Sequence, residues 1–356
     1  MNGARAARPL RVALFSGGPS SEHDVSIASG RNVARLLDPD RFVVRPVAIG
    51  RDARFRLAPS FGAPGPAAVA AADAALATGE AWGAARAIER LVADGTDVAF
   101  LALHGPYGED GTIQGLLAAS GLRHTGSGVA TSALAMDKAN ARHVLAGNGI
   151  PVAKGILLPR RGDERAIAER VRREIDVPCV VKPNNLGSSH GVSVVRAADE
   201  LPAALVAAFE TADRVLVEEY VAGLELTCGV LGNAGSSGCR ALPPTEIRAP
   251  EGRFFDYDVK YRPGAAQEIT PAPIPPELTR LVQDLALRAH ECLDCRGLSR
   301  TDFRVRDGGA PIALEVNTLP GFTETSLFPQ AAAAAGIPFR ELLTRVVELA
   351  LEDGGA

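Results

Sequence analysis

The chain of 356 residues is 46% hydrophobic and 22% charged, which is too long for one small domain and apolar enough to bury a core without disulfides or metals; disordered and fibrous classes are excluded. Its 38 basic against 42 acidic residues leave a formal charge of -4, no global field for nucleic acid or an anionic membrane, so an anionic ligand must be caught by a local cluster. No apolar stretch reaches the roughly 18 residues of a membrane span, and the run after Arg5, Arg8 and Arg11 stops at Phe15, so neither a signal peptide nor a membrane partner is expected and the expected compartment is the cytoplasm.

Short apolar runs alternate with helix-period segments, the pattern of α/β or α+β architecture. Val12 to Phe15 predicts a buried strand, residues 24–37 a helix and Phe42 to Ile49 a second strand. The Ser16-Gly17-Gly18 turn that closes the first strand can place Glu22 beside a ligand. Residues 59–79, rich in Pro, Gly and Ala, hold too few large apolar side chains for a core and read as a surface excursion. Asp97 to Leu103 predicts the next buried strand, ending in the loop His104 to Gly111, with a helix from about Ile113. A second unit follows, with helices around 132–146 and 164–174 and an apolar run from Val177 to Lys182. The glycine loop Pro183 to Gly191 leads to a strand over Val192 to Val195, then a helix ending near Ala212 and a Val-rich strand over 214–220. From about Glu219 come further strands, a polar loop over 250–271, a helix from Pro276, a hairpin and C-terminal helices. The odd number of cysteines, five, suits free thiols in a reducing compartment. Cys292-x-x-Cys295, at the end of an apolar-periodic helix with no second pair, reads as buried thiols.

Two features point to chemistry. The β runs Ser299 to Arg306 and Pro311 to Asn317 flank Asp307-Gly308-Gly309. With Gly308-Gly309 as a two-residue turn, opposed residues have numbers summing to about 617. Asp302 then faces Glu315 and Arg300 faces Asn317, all on one side of the ribbon, where an oxygen-only donor set favours Mg²⁺; a solvent-facing polar patch is the alternative. The second feature is the scarcity of lysine: Lys138, Lys154, Lys182 and Lys260 are the only four, and the other 34 basic residues are arginine. Lysines retained against that bias mark places that need a compact ammonium, as phosphate does. Lys182 ends a strand directly before the glycine loop, whose N–H groups can cradle phosphate oxygens. Neither G-x-x-x-x-G-K-[ST] nor a G-x-G-x-x-G after the first strand is present, so a P-loop enzyme and an ordinary dinucleotide-binding dehydrogenase are unsupported.

The motifs resemble those of the D-alanine–D-alanine ligase family of the ATP-grasp superfamily over nearly the whole chain except about residues 51–90. They are Gly17-Gly-Pro-Ser-Ser-Glu-His-Asp-Val-Ser26, Leu103-His-Gly-Pro-Tyr-Gly-Glu-Asp-Gly-Thr-Ile-Gln-Gly115, Thr125-Gly-Ser-Gly128 and Met136-Asp-Lys138. Further along are Val181-Lys-Pro-Asn-Asn-Leu-Gly-Ser-Ser189, Asp256-Tyr-Asp-Val-Lys-Tyr261 and Leu314-Glu-Val-Asn-Thr-Leu-Pro-Gly321. The resemblance implies an N-terminal doubly wound α/β substrate domain (1–126) and two α+β domains (127–218 and 219–356) holding ATP between them.

It also implies roles. Lys138, Lys182 and Lys260 match ATP-phosphate lysines, the last on a lid loop, and Asp302, Glu315 and Asn317 match the ligands of two magnesium ions, with manganese as a substitute. Glu218, Glu219, Val221 and Glu225 match adenine and ribose contacts. Glu22 matches the acid that holds the first D-alanine's ammonium, with Ser188 and Tyr261 completing its hydrogen-bonded set and His104 near that substrate. Arg300 and the Gly321 N–H match the groups around the reacting carboxyl, and Ser326 with Leu327 the seat of the second carboxylate. The implied activity is ATP-dependent joining of two D-alanines through an acyl phosphate, by a homodimer. The alternative is a related ligase with another second substrate, and Tyr261 is the residue that favours D-alanine. His190 and Ser299 depart from the family pattern without removing a required group.

Overall fold

A computed structural model describes residues 8–159, 164–187, 191–248 and 267–352. The chain forms two compact units: Met1–Val129 with Arg296–Leu298 and Leu319–Ala356, and Ala130–Cys295 with Ser299–Thr318. The C-terminal segment Leu319–Ala356 thus joins the N-terminal unit, whereas the sequence expectation placed it at the end of a third domain.

Unit 1 is built on a four-stranded sheet of β1 (Leu10–Gly17), β2 (Phe42–Ile49), β3 (Phe55–Leu57) and β4 (Val98–Leu103), in the order β3-β2-β1-β4. β1 pairs in parallel with both β2 and β4, and β3 adds an antiparallel edge. β4 is buried along its whole length, as expected for a continuous apolar run in a parallel sheet covered on both faces. One face holds Phe15, Ile49, Phe55, Leu91, Leu101, Ile113 and Leu117. α1 (His23–Leu36) lies against β1 and β4, and the C-terminal helix of the chain, Phe339–Leu351, touches α1 and β4. The segment 59–79 departs from expectation: it contains a helix, α2 (Pro66–Thr78), packed on β2 and α1 through buried Ala68 and Ala75. Alanines serve as core here because a helix lined with small side chains can approach the sheet closely. α3 (Ala84–Ala93) and α4 (Thr112–Ala119) complete the wrapping.

The chain leaves β1 toward β2 on one side and returns to β4 on the other. The loops after the carboxyl ends of β1 and β4 therefore flank a topological switch point, where open α/β sheets bind ligands. Glu22 lies in the first of these loops and His104 in the second.

Unit 2 contains two sheets. The smaller is β5 (Gly155–Pro159), β6 (Cys179–Pro183), β7 (Ser193–Val195) and β8 (Arg214–Glu219), antiparallel in the order β5-β8-β6-β7. α7 (Glu164–Glu174) touches β5, and α8 (Leu201–Thr211) packs on β6, β7 and β8. The larger has β9 (Leu224–Leu231), β10 (Arg240–Ala241), β11 (Thr245–Arg248), β12 (Gln267–Ile269), β13 (Leu298–Val305) and β14 (Pro311–Asn317), with α9 (Pro276–Cys292) against it. Instead of one helix over 132–146 there are two, α5 (Val129–Met136) and α6 (Lys138–Gly147), broken at Asp137. Asp137 has extended backbone and caps α6 through the Asn140 N–H, the role that a short acid fills at a helix start. Two further helices, α10 (Leu327–Ala334) and α11 (Phe339–Leu351), end the chain in unit 1. None of the described helices is long and apolar enough to cross a membrane.

Candidate functional site

Unit 1 gathers four sequence-predicted residues around the switch point. Glu22 and His104 are both buried, at 6% exposure each. The Ser20 hydroxyl donates to the His104 carbonyl at 2.8 Å and accepts from the Glu22 N–H at 3.2 Å, tying the β1 loop to the β4 loop. Gly105 sits between them with φ +72°, and a Cβ there would lie 2.5 Å from Glu22 Oε2, so both backbone and space demand glycine. The His104 ring Nε2 stands 3.1 Å from Ser29 Oγ on α1. Gly321 arrives close by: a Cβ on it would lie 2.7 Å from Ser326 Oγ and 3.9 Å from His104 Nε2. The Phe322 N–H donates to Ser29 Oγ at 3.3 Å, and its carbonyl accepts from Asn32 Nδ2 at 2.8 Å, anchoring this loop on α1. Ser326 precedes α10, whose first residue is Leu327, yet its hydroxyl bonds Thr323 at 2.7 Å instead of capping the helix.

Unit 2 holds an open pocket of about 790 Å³ of non-atom space, part of it solvent. Its lining brings together Lys138, Lys182, Glu218, Glu219, Val221, Glu225, Asp302 and Glu315, from α6, β6, β8, β9, β13, β14 and the β8–β9 connection. Arg300 and Asn317 do not line it but sit opposite one another next to the Asp302–Glu315 pair in the β13–β14 ladder. The register matches the arithmetic of the hairpin at these four residues. Nearer the turn it shifts by one, with Val305 opposite Pro311, and a bulge between Asp302 and Phe303 restores the offset. Gly308, at φ +65°, supplies the left-handed turn residue.

The pocket is a set of exchanged charges. Lys182 Nζ lies 2.5 Å from Glu218 Oε2, and Arg142 Nε lies 2.8 Å from Glu218 Oε1 in an ion pair lacking hydrogen-bond alignment. Glu218 is 3% exposed, so its two cationic partners sit with it out of water. Lys138 Nζ pairs with Glu315 Oε2 at 3.2 Å and donates to the Leu186 carbonyl at 2.6 Å. Arg300 grips Asp302 in bidentate fashion at 2.7 and 2.8 Å, and the Thr227 hydroxyl donates to the same carboxylate at 2.8 Å. Arg304 pairs with Glu225 at 3.2 Å and Arg306 with Glu219 at 2.8 Å. Burial alone would raise the Glu219 carboxyl, but the Lys154 N–H and Arg306 outweigh it and hold it below the usual carboxylate range.

Asp302 and Glu315 suit a divalent cation: hard oxygen donors, opposed across a ribbon and 15% and 29% exposed, each facing a cation that a metal can replace. Among the described residues no group of three or more His, Cys, Asp or Glu can hold a metal, so an ion bound here would need further ligands from other groups, phosphate or water. Ser188, Lys260 and Tyr261, together with His190, lie outside the described residues. Sequence reasoning missed several lining groups. Val180, which lines the pocket, shares a strand face with Lys182, and Arg142, which pairs with Glu218 behind the lining, follows Lys138 by four residues on α6, so the strand and helix periods carry that signal. Leu186, Val192, Tyr220, Arg304 and Leu314 also line the pocket. All five cysteines are free. Burial raises the Cys292 thiol and pushes Cys228 up to about 12.

Comparison with known proteins gives one consistent match. Family models described as D-ala D-ala ligase N-terminus and D-ala D-ala ligase C-terminus match residues 11–127 and 144–348. A D-alanine--D-alanine ligase of Syntrophobacter fumaroxidans is 43% identical over 347 residues, 97% of this chain and 98% of that protein. One of Deinococcus radiodurans is 42% identical over 96% and 99%. The solved D-alanine-D-alanine ligase from Coxiella burnetii superposes with a TM-score of 0.79 at 28% identity, covering 97% of this chain and 94% of that one. The VanG D-Ala:D-Ser ligase from Enterococcus faecalis gives 0.83 at 29% identity, covering 96% and 100%.

Proposed function

The chain belongs to the D-alanine–D-alanine ligase family, an ATP-using ligase family with the ATP-grasp fold, and from that premise we propose how its residues divide the work. The reaction is the joining of two D-alanines to D-alanyl-D-alanine for peptidoglycan synthesis. A carboxylate is a poor electrophile, so one carboxylate oxygen of the first D-alanine attacks the γ-phosphorus of ATP and ADP leaves. The second D-alanine's amine then attacks the acyl phosphate, losing a proton, and phosphate departs.

The observation that carries this reading is the pocket in unit 2 that joins two of the four lysines to the acids of β8, β9 and the β13–β14 hairpin. Lys138 and Lys182 exchange Glu315 and Glu218 for phosphate oxygens, while Glu218, Glu219, Val221 and Glu225 receive adenine and ribose. Asp302, Glu315 and Asn317 would hold two magnesium ions, or manganese in their place. When bound, these ions neutralise charge on the transferring phosphoryl group. Arg300, already planar against Asp302, and the Gly321 N–H stabilise the developing oxyanion.

In unit 1, buried Glu22 takes the ammonium of the first D-alanine beside His104. Ser326 and Leu327 seat the carboxylate of the second. Ser188 and Tyr261 complete the set around Glu22, and Lys260 acts on phosphate from a lid over about 250–271. The working division is residues 1–126, 127–218 and 219–356; the two sheets of unit 2 support the boundary near 218, while Leu319–Ala356 packs with unit 1. A cytoplasmic homodimer follows from the family resemblance and is tested by sedimentation and fractionation. For the chemistry, D-alanine labelled with ¹⁸O in its carboxylate must deliver label to the phosphate released; unlabelled phosphate would exclude the acyl phosphate.

A further inference from the structure

Lys138 is the first residue of α6 and is 8% exposed. A cation there meets the positive end of the helix dipole and loses water, an arrangement that has to be held in place. Asn184, fully buried, does the holding. Its carbonyl accepts from the Lys138 N–H at 3.2 Å and its Oδ1 from the Ala139 N–H at 3.0 Å, so one residue satisfies the first two N–H groups of α6. Its Nδ2 donates to Asp137 Oδ1 at 2.8 Å, and its own N–H donates to the Arg214 carbonyl at the start of β8 at 3.0 Å. Asp137 in turn accepts from the Asn140 N–H at 3.1 Å, from Asn140 Nδ2 at 3.0 Å and from Arg214 at 2.8 Å. Asn184 also stands two residues beyond Lys182, just past the end of β6.

We propose that Asn184, braced by Asp137 and Arg214, is a positioning residue that sets Lys138 relative to Lys182 so that both ammonium groups reach one polyphosphate. The helix N–H groups nearest the pocket are consumed by Asn184 and Asp137, so the phosphate is met by the lysine side chains and not by the helix terminus. The geometry joins three elements with different partners in sequence: α6, the end of β6 and the start of β8. It rests on the reading that Lys138 and Lys182 serve ATP.

The test is steady-state kinetics of the full-length enzyme with ATP, Mg²⁺ and D-alanine. Asn184→Ala removes the Oδ1 and Nδ2 contacts. Asp137→Ser retains a good helix cap for Asn140 but cuts the tie to Asn184 and Arg214, so it decides alone if Asn184→Ala does not fold. Each folded variant should show KM for ATP raised about tenfold, with KM for D-alanine within about twofold of the parent. A folded variant with parental KM for ATP, or with both KM values raised alike, would overturn the proposal, the second by revealing general loosening. Lys138→Ala and Lys182→Ala are run alongside. If these leave KM for ATP unchanged, the ATP reading fails; if they raise it while Asp137→Ser does not, only the positioning role of Asn184 falls.

Discussion

Around Glu22 in unit 1 the contacts among the described residues include hydroxyls, a ring nitrogen and backbone groups, with Glu22 and Glu109 as buried acids. Around Lys182 in unit 2 the polar lining side chains meet as ion pairs: Lys138 with Glu315, Lys182 with Glu218, Arg300 with Asp302 and Arg304 with Glu225. The contrast follows the ligands. A small zwitterion offers one ammonium and one carboxylate, and a rigid, buried corner with few charges can orient it. A polyphosphate with its metal ions brings several charges of both signs, and a pocket of paired charges can trade each partner without leaving a buried ion bare.

The largest effect should come from breaking the charged side. Glu315→Gln keeps shape but removes a negative oxygen from the pair with Asp302, and kcat should fall at least about 10³-fold with the fold retained. Magnesium-dependent turnover close to the parent would remove the hairpin from the metal site. The next effect is on stability, and its largest share lies in unit 2. His290 is fully buried against Ser299, with its Nδ1 2.7 Å from the hydroxyl, and burial lowers its pKa to about 4 despite hydrogen bonds involving Gly232 and Cys295. Between about pH 4 and 6.5 the unfolded chain binds a proton that the folded chain refuses. Stability is therefore complete above about 6.5 and declines as pH falls toward 4, by up to about 3 kcal/mol. Burial lowers His124 in unit 1 too, so the double variant His290→Leu with Ser299→Ala isolates the unit 2 share: denaturant titrations across this range should lose most of their slope. Glu219 and Asp137, held low by their partners, lose their share as pH falls through the usual carboxylate range and below it, so they overlap only the acid end of this window.

Breaking the neutral side should give smaller and more selective losses. Glu22→Gln should lower kcat/KM for D-alanine about 10²-fold, since a buried ammonium would lose its counter-charge, while KM for ATP stays within about twofold. Equal losses for both substrates would erase the division between the two regions. Gly105→Ala sharpens the point, because it adds no charge: the strained φ of +72° and the 2.5 Å approach to Glu22 should raise KM for D-alanine about tenfold.

The sequence made the hairpin legible for an instructive reason. A two-residue turn predicts one register, whereas the ladder near the turn runs one residue out of it. The bulge at Asp302/Phe303 then shifts it back, so Asp302 still faces Glu315. Period-2 patterning constrains a ribbon's face but does not reveal a bulge. The three parallel strands of unit 1 are readable because doubly covered strands are continuous apolar runs, whereas the short antiparallel edge strand β3 and the Ala-rich α2 are not, since neither looks like core. The break at Asp137 had a local signal, a short acid three residues before Asn140, that an Ala-rich helical pattern concealed. Arg142 and Asn184 stayed hidden because their importance lies in contacts between elements distant in sequence.

Simultaneous measurement of ADP and dipeptide formation, with ATP, Mg²⁺ and either D-alanine alone or D-alanine paired with D-serine or D-lactate, bears most directly on the central claim. D-alanine alone should yield D-alanyl-D-alanine and ADP in equal amounts, D-serine should compete weakly and D-lactate less still, since a site that hydrogen-bonds an amine can reject its absence by roughly 10⁴-fold. No ADP release with D-alanine, or faster mixed product with D-serine or D-lactate, would contradict the account.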